Sequence, residues 1–166
     1  MIVESAGSAL VAVLANPPLT DGRRTLRRVE LAARLLGFPE VGVANLFAVP
    51  SRATGAIAEL GIEEKGWLEA RSPLEGQLAT ARGVLLAYGA SAPTGRARTH
   101  FRHQVEWLHH RIAMLNLPAW QVGDGPRHPS RWQRWTHRTY PEVSFADALR
   151  HSLVPVYIDY QRSSRP

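Results

Sequence analysis

Short apolar runs alternate with amphipathic stretches along the chain, and this alternation predicts the secondary structure. Residues 8–15 and 41–49 are apolar, contain several β-branched valines and are stopped by prolines, which is typical of buried strands. Between them, apolar residues recur at helical spacing over residues 25–36, and Gly37 follows as a helix stop. The pattern therefore predicts a strand, a helix and a second strand.

The same alternation continues towards the end of the chain. Residues 51–82 are small, polar and helix-prone, which predicts one or two short helices. Residues 123–137 are dense in Gly, Pro, Arg and Trp, which predicts a loop. The remaining predicted elements are strands over residues 84–88 and 119–122, helices over residues 99–115 and 145–151, and an apolar run over residues 154–158.

Strands that alternate with helices predict parallel βαβ units, so the expected fold class is α/β. We predict a single domain over residues 1–166, with a core over about residues 8–160. Its centre is a mainly parallel sheet of four to five strands flanked by helices. Ligands bind such sheets at the carboxyl ends of the strands. That rule predicts one crevice lined by Asn16, Asn45, Gly89 and the loop over residues 123–137.

The composition excludes several classes of protein. The 166 residues suffice for one globular domain with a hydrophobic core. The absence of cysteine excludes disulfides and thiolate metal sites. No apolar stretch approaches the roughly 20 residues of a membrane-spanning helix, and the N-terminus lacks the pattern of a signal peptide. We therefore expect a cytoplasmic protein with no membrane partner, and no pattern predicts an obligate protein partner.

The charge is distributed unevenly along the chain. Residues 1–82 carry nine basic and nine acidic side chains, whereas residues 83–166 carry eleven basic and five acidic ones. All seven histidines also lie in the second half, six of them between His100 and His137. This asymmetry predicts binding to a phosphate backbone, with nucleic acid as the partner. The alternative is a GC-rich genome, which explains why Lys65 is the only lysine among 20 basic residues but not the asymmetry.

Two asparagines at predicted strand ends could carry chemistry. Asn16 precedes Pro17, which restricts the backbone, so its amide could position a water molecule or polarise a carbonyl. The alternative is an ordinary Asn-Pro turn. Asn45 lies inside an apolar run, where a buried amide needs partners, and it could read a base edge. The alternative is an asparagine that caps a neighbouring loop.

Residues 125–132 form a third candidate. His128 stands between prolines, Ser130 offers a hydroxyl for phosphate, and tryptophans alternate with arginines from Arg127 to Arg138, a combination that suits stacking on bases with phosphate neutralisation. The alternative is a basic surface loop. The histidines of residues 100–110 look like metal ligands, but no carboxylate or cysteine completes a site, so we expect neither metal nor cofactor.

Five short segments occur in a characteristic order: Asn-Pro-Pro-Leu-Thr-Asp at residues 16–21, Thr-Leu-Arg-Arg at 25–28, Val-Ala-Asn-Leu-Phe-Ala at 43–48, Ala-Tyr-Gly at 87–89 and Pro-Arg-His-Pro at 126–129. Over about residues 10–132 this order resembles the DUF1643 family of bacterial and phage proteins. The chain departs from the family pattern at Pro18, where the family has Ser, at Tyr88, where it has Trp, and through residues 51–82.

The same strand ends more distantly resemble the uracil-DNA-glycosylase superfamily. Its members place Asp-Pro or Asn-Pro after the first strand, a base-reading Asn on a later strand and a Leu-Trp-Gly strand end. A His-Pro-Ser loop follows, with an apolar DNA wedge four residues after its His. The corresponding residues here are Asn16 with Pro17, Asn45, Gly89, His128 with Ser130, and Trp132.

This resemblance implies a uracil-DNA-glycosylase-like fold and a DNA glycosylase that flips a nucleotide into the crevice and hydrolyses its N-glycosidic bond. Asn16 would position the water, and His128 would stabilise negative charge on the base. The base would contact Asn45, Pro17 and Phe47. DNA contacts would come from Arg127, Ser130, Arg131, Arg134 and the wedge Trp132, and the mechanism implies no metal.

The substrate base is a separate hypothesis. Residues 18–22 are small and polar where a tight uracil pocket carries a bulky aromatic side chain, which favours an enlarged pyrimidine such as glucosylated hydroxymethylcytosine of phage DNA. The biological role would then be antiphage defence. One alternative is a non-catalytic nucleic-acid-binding module of the same fold, compatible with Asn rather than Asp at position 16. The other is a hydrolase of free modified nucleotides, against which the basic second half argues.

Overall fold

The computed structural model describes residues 9–158 and has a five-stranded sheet at its centre. The strand order is β2-β1-β3-β4-β5; the first four strands are parallel, and β5 runs antiparallel to β4. The predicted α/β class with a mainly parallel sheet is therefore confirmed. The strands are β1 (Ala9–Leu14), β2 (Glu40–Asn45), β3 (Ala81–Leu86), β4 (Ala119–Val122) and β5 (Leu153–Val156).

Helices connect the strands and cover both faces of the sheet. Within the described residues they are α1 (Arg23–Leu35), α2 (Ile57–Leu60), α3 (Lys65–Thr80), α4 (Ala97–Met114), α5 (Trp132–Thr139) and α6 (Phe145–Ser152). Short 3₁₀ turns precede α2 at Thr54–Ala56 and α5 at Pro129–Arg131. None of these helices is both long and apolar enough to cross a membrane.

Alternate residues of each strand point to opposite faces, and this alternation divides the core into two layers. On β1, Leu10 and Leu14 belong to a layer with Val29 of α1, Trp132 of α5 and Leu149 of α6. Val11 and Val13 belong to the other layer, where α3 contributes Leu74 and Leu78 and α4 contributes Leu108 and Ile112. Helices α1, α5 and α6 thus cover one face of the sheet, and α3 and α4 cover the other.

Two segments differ from the sequence prediction. Residues 65–80 form one long helix, although Pro73 lies inside it, because Trp67, Leu74 and Leu78 recur at helical spacing and are buried against the sheet. Packing of that stripe outweighs the hydrogen bond that proline removes. The predicted loop over residues 123–137 ends in helix α5, because Trp132 and Thr136, one turn apart, are both buried. The ends of the predicted core, residue 8 and residues 159–160, lie outside the described residues.

Candidate functional site

A crevice of about 1620 Å³ opens at the carboxyl edge of the parallel strands. The segments after β1, β2 and β3 line it, together with the start of α1 and the segment from Arg127 to Arg138. This is the place at which open α/β sheets bind ligands. The volume exceeds the roughly 300–1,000 Å³ of ordinary small-molecule pockets. The crevice therefore has room for part of a polymer or for an enlarged ligand.

Asn16 lies at the end of β1, is 8% exposed and lines the crevice. Its Nδ2 donates hydrogen bonds to the Val49 carbonyl at 2.9 Å and to Ser51 Oγ at 2.7 Å. A backbone carbonyl can only accept, so the amide group facing Val49 must be the NH₂. The carbonyl oxygen Oδ1 is therefore the polar atom of Asn16 that is left for the crevice.

The segment that carries His128 is tied to the rest of the fold at three points. Gly89, at the end of β3 with a φ of 103°, donates its N–H to the Pro126 carbonyl at 2.7 Å. The indole N–H of Trp132 donates to the Arg127 carbonyl at 2.9 Å, and Arg28 Nη1 donates to the Pro129 carbonyl at 2.9 Å. These bonds fix the backbone on both sides of the imidazole.

The imidazole of His128 is half-buried and has a defined hydrogen-bond pattern. The backbone N–H of Ser130 donates to Nδ1 at 3.2 Å, and Ser130 Oγ lies 2.9 Å from the same nitrogen. Burial lowers the pKa of His128 below its usual value of 6.5, and the nearby guanidinium groups of Arg28 and Arg131 lower it further. The ring is therefore neutral at pH 7. Because Nδ1 accepts, the proton lies on Nε2, which becomes a hydrogen-bond donor.

Arginines dominate the charge around the crevice. Asp21 is the one carboxylate among its lining residues, and it pairs with Arg23 at 3.3 Å. Asp124 pairs with Arg127, and that contact lowers the pKa of Asp124. The other crevice arginines form no ion pair within the part of the chain that the structure describes, so the crevice favours a polyanion. Its eight arginines are Arg23, Arg24, Arg28, Arg52, Arg127, Arg131, Arg134 and Arg138.

The predicted wedge at Trp132 is wrong. Its side chain is completely buried between the sheet and α1 and α6, and its indole N–H is engaged by the Arg127 carbonyl. A side chain in the core cannot enter a DNA helix without unfolding its surroundings. Trp132 instead anchors the segment that holds His128. Trp135, one turn later, stacks under the Arg127 guanidinium at 5.1 Å and lines the crevice.

The predicted base contacts at Asn45, Pro17 and Phe47 do not reach the crevice. None of the three is among its lining residues. Phe47 is fully buried and packs on Trp67, with ring centroids 4.7 Å apart. Asn45 is half-buried at the end of the edge strand β2, and its Oδ1 is buried without a hydrogen bond inside the described range. Pro17 contributes a carbonyl that accepts from the Ser51 N–H at 3.1 Å.

The other predicted site residues do line the crevice. Asn16 follows β1, and His128 lies in the segment after β4, which the Gly89 N–H holds against the end of β3. Both line the same opening, and the four predicted phosphate contacts join them there: Arg127, Ser130, Arg131 and Arg134. The histidines of α4 lie elsewhere, and His100 Nε2 lies 3.1 Å from the Ile62 carbonyl. Over residues 9–158 no three His, Asp or Glu side chains form a group that could hold a metal ion.

Sequence reasoning missed two parts of the crevice. Arg23, Arg24, Arg28 and Arg52 come from the formally neutral half of the chain and supply half of the crevice arginines. The available signal was the pair of arginines at residues 23–24 and the pair at residues 27–28. Helix α1 begins at Arg23 and has no acidic residue in its first turn, which leaves the positive end of the helix dipole uncompensated. The second part is an aromatic wall that contains Trp67, Tyr88 and Phe101, for which periodicity indicates only a core position.

Comparison with known proteins finds no relative: no protein-family model, no curated protein and no solved structure matches the chain. The resemblances to the DUF1643 family and to the uracil-DNA-glycosylase superfamily therefore rest on the sequence motifs alone and stay predictions.

Proposed function

We propose that the protein is a DNA glycosylase, a hydrolase that releases a modified pyrimidine from DNA. The observation that carries this proposal is the pairing of a neutral histidine donor with an amide oxygen in one arginine-lined crevice. His128 and Asn16 both line the opening at the strand ends. Glycosidic hydrolysis requires a donor for the departing base and an acceptor for the attacking water, and these two side chains supply them.

In the proposed reaction, the bond between C1′ of the sugar and N1 of the pyrimidine breaks, and its electron pair stays on the base. Negative charge develops on the base O2, to which His128 Nε2–H donates a hydrogen bond. Asn16 Oδ1 accepts a hydrogen bond from the water whose oxygen adds to C1′. The proton released by that water ends on the departing base. Losing one preorganised donor of this kind costs about 10²–10³ in rate.

The charge and size of the crevice support a substrate within DNA. Phosphates of a flipped nucleotide and its neighbours would lie against the crevice arginines, which have almost no carboxylate among them. The volume of about 1620 Å³ leaves room for a pyrimidine that carries a bulky group such as a glucosyl substituent. We propose antiphage defence as the corresponding role, in which the enzyme makes abasic sites in modified phage DNA.

One observation favours a second candidate, a non-catalytic nucleic-acid-binding module. The amide NH₂ of Asn16 belongs to a buried network in which Ser51 Oγ donates in turn to the Ala53 carbonyl at 2.7 Å. A purely structural asparagine would explain those bonds without any chemistry. The basic crevice would then serve binding alone.

The experiment that separates the two is an assay for abasic sites. Genomic DNAs with different modified bases are incubated with the wild-type protein and with His128→Asn. Asn retains an acceptor for the Ser130 N–H but removes the Nε2 donor. We expect abasic sites on at least one modified DNA and a loss of about 10²–10³ in rate for the variant.

Arg102→Gln serves as the control variant, because Arg102 is exposed on α4 and does not line the crevice. It should retain the wild-type rate. A wild-type protein that binds every DNA of the panel and leaves no abasic site on any of them would reject the glycosylase in favour of the binding module.

A further inference from the structure

The two ends of the crevice differ in chemistry. The end over helices α1 and α5 carries arginines, including Arg28 and Arg134. The end over helices α2 to α4 is apolar and aromatic, and Leu46, Ile57, Trp67, Tyr88 and Phe101 line it. Asn16 lies at the strand end between them. A ligand that fills the crevice therefore needs a charged part and a flat apolar part.

The aromatic rings contact one another edge to face. The centroids of Tyr88 and Phe101 are 6.0 Å apart at 69°, and those of Trp67 and Phe101 are 6.3 Å apart at 77°. The indole N–H of Trp67 donates to the Gly61 carbonyl at 2.9 Å. The rings thus form a preformed wall, which we call the aromatic wall, and flat ligands stack on such rings.

A buried glutamine holds this wall from behind. Gln104 of α4 is completely buried, and its Nε2 donates to the carbonyls of Leu46 at 2.8 Å and Trp67 at 2.7 Å. Its Oε1 accepts from Arg71 Nε at 3.0 Å. All of its principal hydrogen-bonding groups are therefore used to fix the segments that carry the wall. A wall fixed in this way needs little ordering when a ligand binds.

The hydroxyl of Tyr88 is the polar atom of the wall that has no hydrogen-bond partner within residues 9–158. Tyr88 lines the crevice and is 7% exposed, and its hydroxyl makes no hydrogen bond to another described residue. Burial raises the pKa of Tyr88 to about 12, so the phenol stays protonated and can both donate and accept. The hydroxyl is not one of the fully buried atoms without a partner, so it is open to the crevice, where a ligand atom can replace water as its hydrogen-bond partner.

We propose that the aromatic wall is the nucleobase chamber, in which the base stacks on Phe101 and hydrogen-bonds to the hydroxyl of Tyr88. This inference rests on the proposed function for the nature of the ligand. It assigns base recognition to β3 and α4 in place of Asn45 and Phe47, which do not line the crevice. A nucleotide matches the two ends because it joins a flat base with polar edges to a phosphate.

The test compares binding with and without a base at one position. The probes are short single-stranded oligonucleotides of abasic units that carry one central nucleotide, either one of the four ordinary bases or 5-hydroxymethylcytosine. A 2′-fluorinated sugar at that nucleotide resists hydrolysis because fluorine disfavours an oxocarbenium ion. Fluorescence anisotropy gives the Kd of each probe and of an otherwise identical probe without the base.

For the wild-type protein, we expect at least one base to tighten binding by on the order of tenfold, the scale of one stacked base. Tyr88→Phe should weaken that probe by about 2- to 12-fold, the range for one hydrogen bond, and leave the abasic probe unchanged. Phe101→Leu should reduce the base-dependent gain further. Tyr140→Phe is the matched control, because Tyr140 lies outside the crevice, and it should match the wild-type protein on every probe.

If the wild-type protein binds all the base-containing and abasic probes equally, the proposal that the aromatic wall is a nucleobase chamber is wrong. A Tyr88→Phe variant that weakens both kinds of probe equally would also overturn it. Base-dependent binding that Tyr88→Phe weakens, in a protein that leaves no abasic sites, would support the chamber and reject the glycosylase. The two proposals can therefore fail separately.

Discussion

Replacing Asn16 with Asp tests the hydrogen-bond pattern on which the proposed water site depends. The substitution keeps the shape of the side chain but replaces the NH₂ that donates to the Val49 carbonyl and to Ser51 Oγ. An ionised carboxylate would face a carbonyl that can only accept. Ser51 could turn its hydroxyl towards the carboxylate, but the Ala53 carbonyl would then lose its donor.

The expected cost follows from these contacts. One buried hydrogen bond is lost, and a carbonyl or a carboxylate oxygen is left unpaired, which together costs about 2–4 kcal/mol. Crevice arginines such as Arg52 offset part of the charge burial but cannot restore the donor. We therefore expect Asn16→Asp to lower the free energy of unfolding by about 2–4 kcal/mol near pH 8.

The loss should depend on pH in one direction. Burial and the facing carbonyl raise the pKa of the introduced carboxyl above its usual value of about 3.9. The folded state then binds a proton more tightly than the unfolded state, so stability decreases as pH rises through the raised pKa. A protonated carboxyl can donate to the Val49 carbonyl, so the deficit should shrink towards about pH 5.

Urea denaturation from about pH 5 to about pH 8 measures both effects. Asn116→Asp is the matched control, because it introduces the same chemical change at an exposed residue in the turn after α4. It should lose less than about 1 kcal/mol, from the dipole at the C-terminal end of the helix. Equal losses for the two variants at every pH would refute the assigned orientation of the Asn16 amide.

Three further predictions concern stability and binding. Burial, Arg28 and Arg131 lower the pKa of His128, so the unfolded state binds a proton more tightly than the folded state. The wild-type protein should therefore lose stability relative to His128→Asn as pH falls below 6.5. Urea denaturation at about pH 5 and about pH 8 checks the sign of this difference. Arg131→Gln should lower the slope of log Kd for DNA against log salt by about one, whereas the non-crevice variant Arg102→Gln should not. Gln104→Leu leaves the buried Leu46 and Trp67 carbonyls without their donor, so it should lower the free energy of unfolding, measured by denaturation, by about 2–4 kcal/mol. An equal loss for Gln77→Leu, on the exposed side of α3, would contradict that account.

The strands could be predicted from the sequence because their signal is local. Each strand is a short apolar run with a Gly or Pro near an end, and the alternation with helices predicts the parallel sheet. Helices α3 and α5 were harder to predict from the sequence. Pro73 divides the pattern of α3, and α5 begins among residues that are typical of loops. In both helices, burial of a tryptophan against the sheet decides the structure, and such tertiary packing is not visible in a local window.

The candidate site also contains residues that the sequence predicts and residues that it does not. Asn16 and His128 could be found because each stands beside a proline and follows a strand, and strand ends share one edge of a parallel sheet. Trp132 was misplaced because its neighbours are arginines, although its own side chain packs in the core. The aromatic wall could not be found, since Trp67, Tyr88 and Phe101 come from three separate elements that only the fold brings together.

Detection of a free base tests the central proposal most directly. Modified phage DNA is incubated with the wild-type protein or with His128→Asn, and mass spectrometry of the small-molecule fraction identifies released bases while the abasic sites in the DNA are counted. The account predicts one free modified pyrimidine for each abasic site, formed about 10²–10³ times more slowly by the variant. DNA that is bound with a steep dependence on salt but releases no base, from any modified source, would contradict it.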